Sequence, residues 1–398
     1  MAKLLDKLHI SQNVFVLGLV SLFNDIASDM TTPLIPLLLT KELGASAVIV
    51  GIIMGSADAA SNIFKLLSGY FSDLWHTRKP FIVTGYSLST VAKFFLGIAA
   101  AWPTVFFARI MDRLGKGVRT TARDAFIADS TPRKYHGRAF GFHRSLDSAG
   151  AVFGPLLAFF FLWIFSLNMR TIFFIALVPS VVGVVLLIFA TTDKKAHNGQ
   201  IHAKITWKDL LQLQKPFFIF LAVDCLFTLA NSSDAFMILK AQSIGFGIGP
   251  ILLLHSCMHA FNTLISFPAG IRSDTHGATR YIFRSYVIFA FSYALCSISS
   301  AQNKLALIAG FACYGIFLAF NDGVAKKYIA SFTPSYLYGT AFGLYYLVNG
   351  ISIFCAALFA GLLWNKSTAA PFIFGTVLAL CAAVLCFIFV HDKTIEKK

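Results

Sequence analysis

The stretch IADSTPRKYHGRAFG, residues 127–141, returns as IASFTPSYLYGTAFG at residues 329–343, an offset of 202. Ile-Ala, Thr-Pro, Gly and Ala-Phe-Gly recur in one register. Two more pairs keep nearly the same distance: GYFSD (69–73) with GIRSD (270–274) at 201, and SDM (28–30) with SDA (233–235) at 205. Chance does not place three matches at almost one offset, so the chain is a repeat of two similar halves.

Each half is rich in apolar runs of about 20 residues, the length that crosses a bilayer core. Of the 398 residues, 57% are hydrophobic, 42 are Phe, and the mean hydropathy is +0.73. A soluble domain of this length could not bury so much apolar surface. Short alternating strands of a β-barrel are absent. The fold expected is an all-α membrane protein with twelve spans. The first six lie near 14–39, 47–70, 80–101, 103–122, 138–165 and 170–190. The second six lie near 216–240, 248–272, 281–300, 304–325, 338–363 and 370–390. The domains follow: a six-helix bundle over 1–190, a polar loop over 191–215, and a second bundle over 216–398.

The net charge of +15 would suggest nucleic acid in a soluble protein. Here basic residues gather at the N-terminus, in HTRK (76–79), RKYHGR (133–138), the central loop, Lys326-Lys327 and the tail KTIEKK. The opposite loops carry only Lys41, Arg170, Lys240, Lys304 and Lys366. The positive-inside rule makes both termini cytoplasmic, and no nucleic-acid partner is expected. The seven cysteines lie in apolar segments with no paired framework, and no cleavable signal peptide is read.

Ionisable residues in a membrane core cost about 2.5–3.5 kcal/mol each on insertion scales, so they mark pairs, cavities or function. Span four holds RIMDRLGKGVRTTARDAF, residues 109–126. Entering near residue 103, it sets Arg109 roughly 9 Å deep, Arg113 about 15 Å and Arg123 about 30 Å, at the cytoplasmic mouth. Arg109, Asp112, Arg113 and Lys116 share one helix face. Arg113 either meets a substrate carboxylate or pairs with Asp112 or a span-one Asp. Arg119, Arg123 and Asp124 belong to the mouth, as gating pairs or headgroup contacts.

Span one carries FNDIASDM, with Asp25 and Asp29 one turn apart. A carboxyl in a low-dielectric cavity beside an arginine can load and release a proton. Asp25 and Asp29 are the candidates, with Asp234 at the repeat-related position in NSSDAF, where a helix break is expected. Span two offers Asp58, Asn62 and Lys65, and span five His143, Arg144 and Asp147. Lys93 in span three reads as a snorkelling or pairing residue. The second half offers Asp224, Asn262, Tyr345, Tyr346 and Asn349. His255 and His259 share a helix face at a spacing that suits a metal, or a simple hydrogen-bonded pair.

Twelve spans, two six-helix halves and a central loop resemble the major facilitator superfamily over essentially the whole chain. GYFSDLWHTRK resembles its G-x-x-x-D-x-x-x-x-R-[RK] signature through Gly69, Asp73, Arg78 and Lys79, departing at Leu74 and His76. The second copy keeps Gly270, Asp274, Gly277 and Arg280. Arg113-x-x-x-Gly117 resembles the span-four motif. GAVFGP resembles the antiporter signature through Gly150, Gly154 and Pro155, with Ala158 and Phe159 in place of the trailing glycines. The resemblance implies alternating access around a midplane site lined by spans one, four, seven and ten. It also implies an inter-helix latch built from Asp73, Arg78, Arg119, Arg123 and Asp274.

No nucleotide-binding signature appears, so an ion gradient is the expected energy source, and no cofactor is expected. No Ser/His/Asp or HExxH arrangement sits on converging spans, which argues against an enzyme. The expected substrate contacts are Arg109, Arg113, Lys116, Arg144, Asp58, Asn262, Tyr345 and Asn349. Their excess of cations favours a small organic anion, moved by a monomer together with protons across a bacterial inner membrane. LGKGVRTTARDAFIADS resembles a prokaryotic permease subgroup, which brings carboxylate siderophores into the anion class. The alternatives are a multidrug/proton antiporter and a divalent-metal transporter.

Overall fold

In the computed structural model the described residues are 11–75, 77–132, 136–191, 213–321, 324–333 and 338–391. They form twelve helical spans. We number these α1 (Gln12–Glu42), α2 (Ala47–Leu74), α3 (Lys79–Gly97), α4 (Trp102–Asp129), α5 (His136–Ile164) and α6 (Met169–Ala190). The second six are α7 (Lys215–Ser243), α8 (Ile248–His276), α9 (Ala278–Ile298), α10 (Lys304–Phe332), α11 (Tyr338–Trp364) and α12 (Ala370–Phe389). Among the described residues, ten spans are long and apolar enough to cross a membrane by length and composition. The two others are α3, diluted by Lys79, Lys93 and its hydroxyl residues, and α4, with its row of charges.

Two compact units result. The described residues of the first fall within Met1–Gly44 and Ala60–Ile201, and those of the second within Ala45–Ala59 and His202–Lys398. In the first, α1 packs on α5 and α6, and α3 packs on α4 and α6. In the second, α7 packs on α11 and α12, and α9 packs on α10 and α12. The sequence repeat thus reappears as a repeat of packing partners.

Local sequence explains the irregular helices. Ser11 caps α1 by accepting from Val14 N at 3.4 Å. Pro33 and Pro36 lack the amide that an α-ladder needs, so α1 tightens at Thr32–Leu34 and widens at Leu38–Glu42. The expected break in α7 is present: helix Lys215–Ala230 stops, and Asp234–Ser243 restarts. Ser233 there has φ of 83°, a left-handed conformation that side chains resist.

Close packing needs glycine at two helix crossings. A Cβ on Gly85 of α3 would meet Gly115 O and Arg119 Cβ of α4, each at 2.6 Å. On α5, a Cβ on Gly150 would meet Asp25 Cβ at 2.8 Å, and one on Gly154 would meet Ile26 O of α1 at 2.8 Å. The glycines of GAVFGP therefore let α5 lie backbone to backbone against α1.

One end of the first unit is an apolar core of Val14, Leu17, Val20, Ile82, Tyr86, Phe126, Ile127 and Leu187. The antiparallel helices α3 and α6 are tied at both ends. Lys79 at the start of α3 donates to Ile188 O and Thr191 O at the end of α6, each at 2.7 Å. Arg170 at the start of α6 donates to Ala99 O, just beyond α3, at 2.6 Å, and pairs with Glu42 at 2.8 Å.

Candidate functional site

The first unit holds a polar cluster built by α1, α3, α4 and α5. On α1, Ser21, Asp25 and Ser28 repeat near helical spacing, so their side chains stack along the helix. Ser21 Oγ lies 2.7 Å from Asp147 Oδ1 of α5 and 3.4 Å from Asp25 Oδ2. Ser21 Oγ therefore stands between the two carboxylates, one from α1 and one from α5.

Arg123 closes the cluster on the α4 side. Its Nη1 donates to Ser21 Oγ at 3.2 Å and lies 3.6 Å from Asp147 Oδ1, while Nε pairs with Asp124 at 3.3 Å. Arg144 of α5 is exposed and reaches Asp147 Oδ2 at 3.2 Å. Asn24, on the neighbouring face of α1, is buried. Neither its amide oxygen nor its amide nitrogen has a hydrogen-bond partner among the described residues, and neither does Ser28 Oγ. Such atoms cost free energy unless water or a ligand meets them.

A second group of charges sits deeper, between α3 and α4. Arg109 is 2% exposed and pairs with Asp112 at 3.3 Å. Arg119 is also buried; its Nη1 donates to Ser89 Oγ at 2.7 Å, and its guanidinium lies 4.5 Å from the Tyr86 ring centre. Lys93 donates to Ser89 O at 3.0 Å and lies within electrostatic reach of Asp112, Arg119, Asp25 and Asp29. Lys93 is therefore a paired interior residue rather than a snorkelling one. The charged face of α4 changes environment along its length: Arg109 is enclosed, Arg113 half-buried and Lys116 exposed.

Lys65 donates to Asn62 at 2.9 Å. Arg78 donates to Ser72 Oγ at 2.7 Å and pairs with Asp129 at 3.4 Å, joining the ends of α2 and α4. The side chains of Asp73 and Asp274 lie outside the described residues. Asp58, in the part of α2 that belongs to the second unit, is half-buried.

The second unit carries carboxylates with neutral partners. Asp224 of α7 is buried; it accepts from Tyr286 OH at 2.8 Å and from Asn349 Nδ2 at 3.1 Å. Thr228 donates to Asn349 at 3.0 Å. At the α7 break, Asn231 Oδ1 accepts from Tyr314 OH at 3.1 Å, and the Ser232 amide donates to Tyr293 OH at 3.2 Å. Asp234, at the start of the second piece, lies 3.2 Å from His255 Nε2. The rings of His255 and His259 are 4.7 Å apart. Among the described residues, no group of three or more His, Cys, Asp or Glu side chains gathers as metal ligands. Asn262 accepts from Ser266 at 2.8 Å, and Tyr345 packs beside Tyr346 at 5.7 Å.

Ser21, Ser89 and Tyr86 were not singled out as site residues in the sequence. Ser21 precedes Asp25 by one turn, so its spacing could have marked it. Ser89 and Tyr86 act across a helix crossing and leave no such trace.

The sequence profile of the Major Facilitator Superfamily matches residues 17–261 and 217–398. An uncharacterized MFS-type transporter of Methanocaldococcus jannaschii is 33% identical over 385 residues, 95% of this chain and 94% of that protein. Multidrug resistance protein 2 of Bacillus subtilis is 24% identical over 372 residues, 86% of this chain and 88% of that protein. Among solved structures, a D-xylose–proton symporter superposes with a TM-score of 0.76 at 14% identity, covering 96% of this chain and 98% of its own. The last likeness concerns the fold alone. The profile match and the archaeal relative each span nearly the full length, and the chain belongs to the Major Facilitator Superfamily of transporters.

Proposed function

We propose that this transporter is a proton-coupled carrier of a small organic anion, working by alternating access. One observation carries the reading: α4 bears Arg109, Arg113, Lys116, Arg119 and Arg123 against Asp112 and Asp124, while its third acid, Asp129, is engaged by Arg78. A surplus of cations on a membrane helix is expensive unless anions visit it. Arg113, Lys116 and Arg144, the three that keep access, are the solute contacts. Arg109 supports them from behind, and Asp58, Asn262, Tyr345 and Asn349 complete the set. Polycarboxylates, carboxylate siderophores among them, fit paired guanidinium groups, which bind carboxylates through two parallel hydrogen bonds.

Proton coupling rests on the placing of Asp25 and Asp147, whose carboxyls both approach Ser21 Oγ beside Arg123. Two carboxyls share one proton because both cannot ionise side by side, and Arg123 favours release when it approaches. Asp29 and Asp234 are further coupling groups. Arg78, Arg119 and Arg123, with Asp73 and Asp274, form the gate. The protein works as a monomer in a bacterial inner membrane with both termini in the cytoplasm, as the charge bias of its loops supports.

A second reading, proton-driven drug efflux, is supported by the multidrug-resistance relative and by Gly150 and Gly154 seated against α1. Proteoliposomes with an imposed pH gradient separate the two. On the first reading a di- or tricarboxylate accumulates with the gradient, Arg113→Gln abolishes its movement, and Asp25→Asn keeps exchange but loses gradient drive. Movement of a cationic drug, with carboxylates inert, would establish the second.

A further inference from the structure

A cavity of about 370 Å³ opens in the second unit, between α8, α9 and α10. It is lined by Ile265, Pro268 and Ala269 of α8, by Arg280, Tyr281 and Arg284 of α9, and by Phe320 of α10. Pro268 and Ala269 leave room there: the first lacks the amide that would bond back along α8, and the second has a minimal side chain. Tyr281 and Phe320 meet edge to face at 5.5 Å and form the wall. The guanidinium of Arg284 stands 5.5 Å from the Tyr281 ring centre.

Among the described residues, the charged groups lining this cavity are both cations. Arg280 and Arg284 are one turn apart and both exposed, and among the described residues no acidic side chain lines the space. Among the described residues, neither guanidinium has a carboxylate partner. Arg280 is the third residue of α9, and Arg284 lies only about 6 Å further along its axis. The cavity therefore sits where an apolar span meets the membrane surface, at the end that the charge bias assigns to the cytoplasm.

We propose that this cavity holds the phosphate of an anionic glycerophospholipid headgroup. Two guanidinium groups one turn apart present planar donor forks to phosphate oxygens. Tyr281 suits the interfacial depth, having an apolar ring and a polar tip. Ile265, Pro268, Ala269 and Phe320 give the glycerol and first acyl carbons an apolar wall. The proposal rests on membrane embedding and not on the identity of the solute.

The test is native mass spectrometry of the purified full chain in nonionic detergent, titrated with phosphatidylglycerol, phosphatidylcholine or inorganic phosphate. The wild type is expected to retain phosphatidylglycerol in preference to phosphatidylcholine. The Arg280→Gln/Arg284→Gln variant should bind it about 25-fold more weakly, from about fivefold per guanidinium. Both side chains are exposed, so the variant folds, which its elution volume checks. Lys304→Gln removes an exposed cation at the other end of the α9–α10 hairpin and should change nothing. Equal retention by the wild type and the double variant would overturn the proposal, and so would equal retention of the two lipids. Displacement of the lipid by millimolar inorganic phosphate, with the same sensitivity to the variant, would instead assign the cavity to free phosphate.

Discussion

Helices α3 and α9 occupy repeat-related positions at an offset of 200, and their buried faces differ in kind. Ile82, Tyr86, Ser89 and Lys93 line α3; Ile282, Tyr286, Phe289 and Tyr293 stand at the matching places in α9. Above Tyr86 lies the Arg119 guanidinium, and above Tyr286 lies the Phe227 ring, at 3.9 Å and nearly parallel. Where Lys93 meets Ser89 and the field of Asp112, Tyr293 packs on Phe289 at 4.1 Å. One architecture is therefore closed by two chemistries. Aromatic rings gain by contact in any partner arrangement, whereas buried charges are stable only as a complete set.

That contrast can be broken deliberately. The largest effect is expected from Asp112→Ala, which leaves Arg109 and Lys93 enclosed without their carboxylate. Removing one partner of a buried ion pair costs about 3–5 kcal/mol, read as a large fall in the unfolding midpoint of detergent-purified protein. A fall no greater than that of a surface substitution would show that water already reaches the α3–α4 crossing. Next comes Tyr286→Phe, which keeps the stack on Phe227 but removes the donor to Asp224. An unsatisfied buried acceptor costs about 1–3 kcal/mol, so a smaller midpoint loss is expected. The same change at Tyr86 should cost less than at Tyr286, because the Tyr86 ring face, not a carboxylate, meets its charged neighbour. The smallest effect has the opposite sign: Ser233→Gly removes left-handed strain of about 1 kcal/mol or less and should raise the midpoint slightly.

The comparison also marks the limit of legibility. The twelve spans and the α7 break could be read because apolar runs and Asn-Ser-Ser-Asp are local signals. The face shared by Arg109 and Lys116 was legible too, since seven residues are nearly two turns. What lies across from each was not, because periodicity gives direction around a helix but not the neighbour at each depth. Lys93 shows the same limit: its partners Ser89 and Asp112 are ordinary residues until α3 and α4 cross at Gly85 and Gly115. The carboxyl pair of Asp25 and Asp147 depends likewise on two glycines of α5 that admit α1 closely.

The ties between α3 and α6 set a length. Lys79 holds the end of α6, and Arg170 holds the end of α3, so neither helix can slide along the other. The 19 residues of α3 span about 28 Å and the 22 of α6 about 33 Å. These values bracket the roughly 30 Å of a bilayer's hydrocarbon core. The pair therefore behaves as a ruler for membrane thickness. In a thicker bilayer it must tilt as one body or thin the lipid around it, and Glu42, held by Arg170, carries the end of α1 along with it.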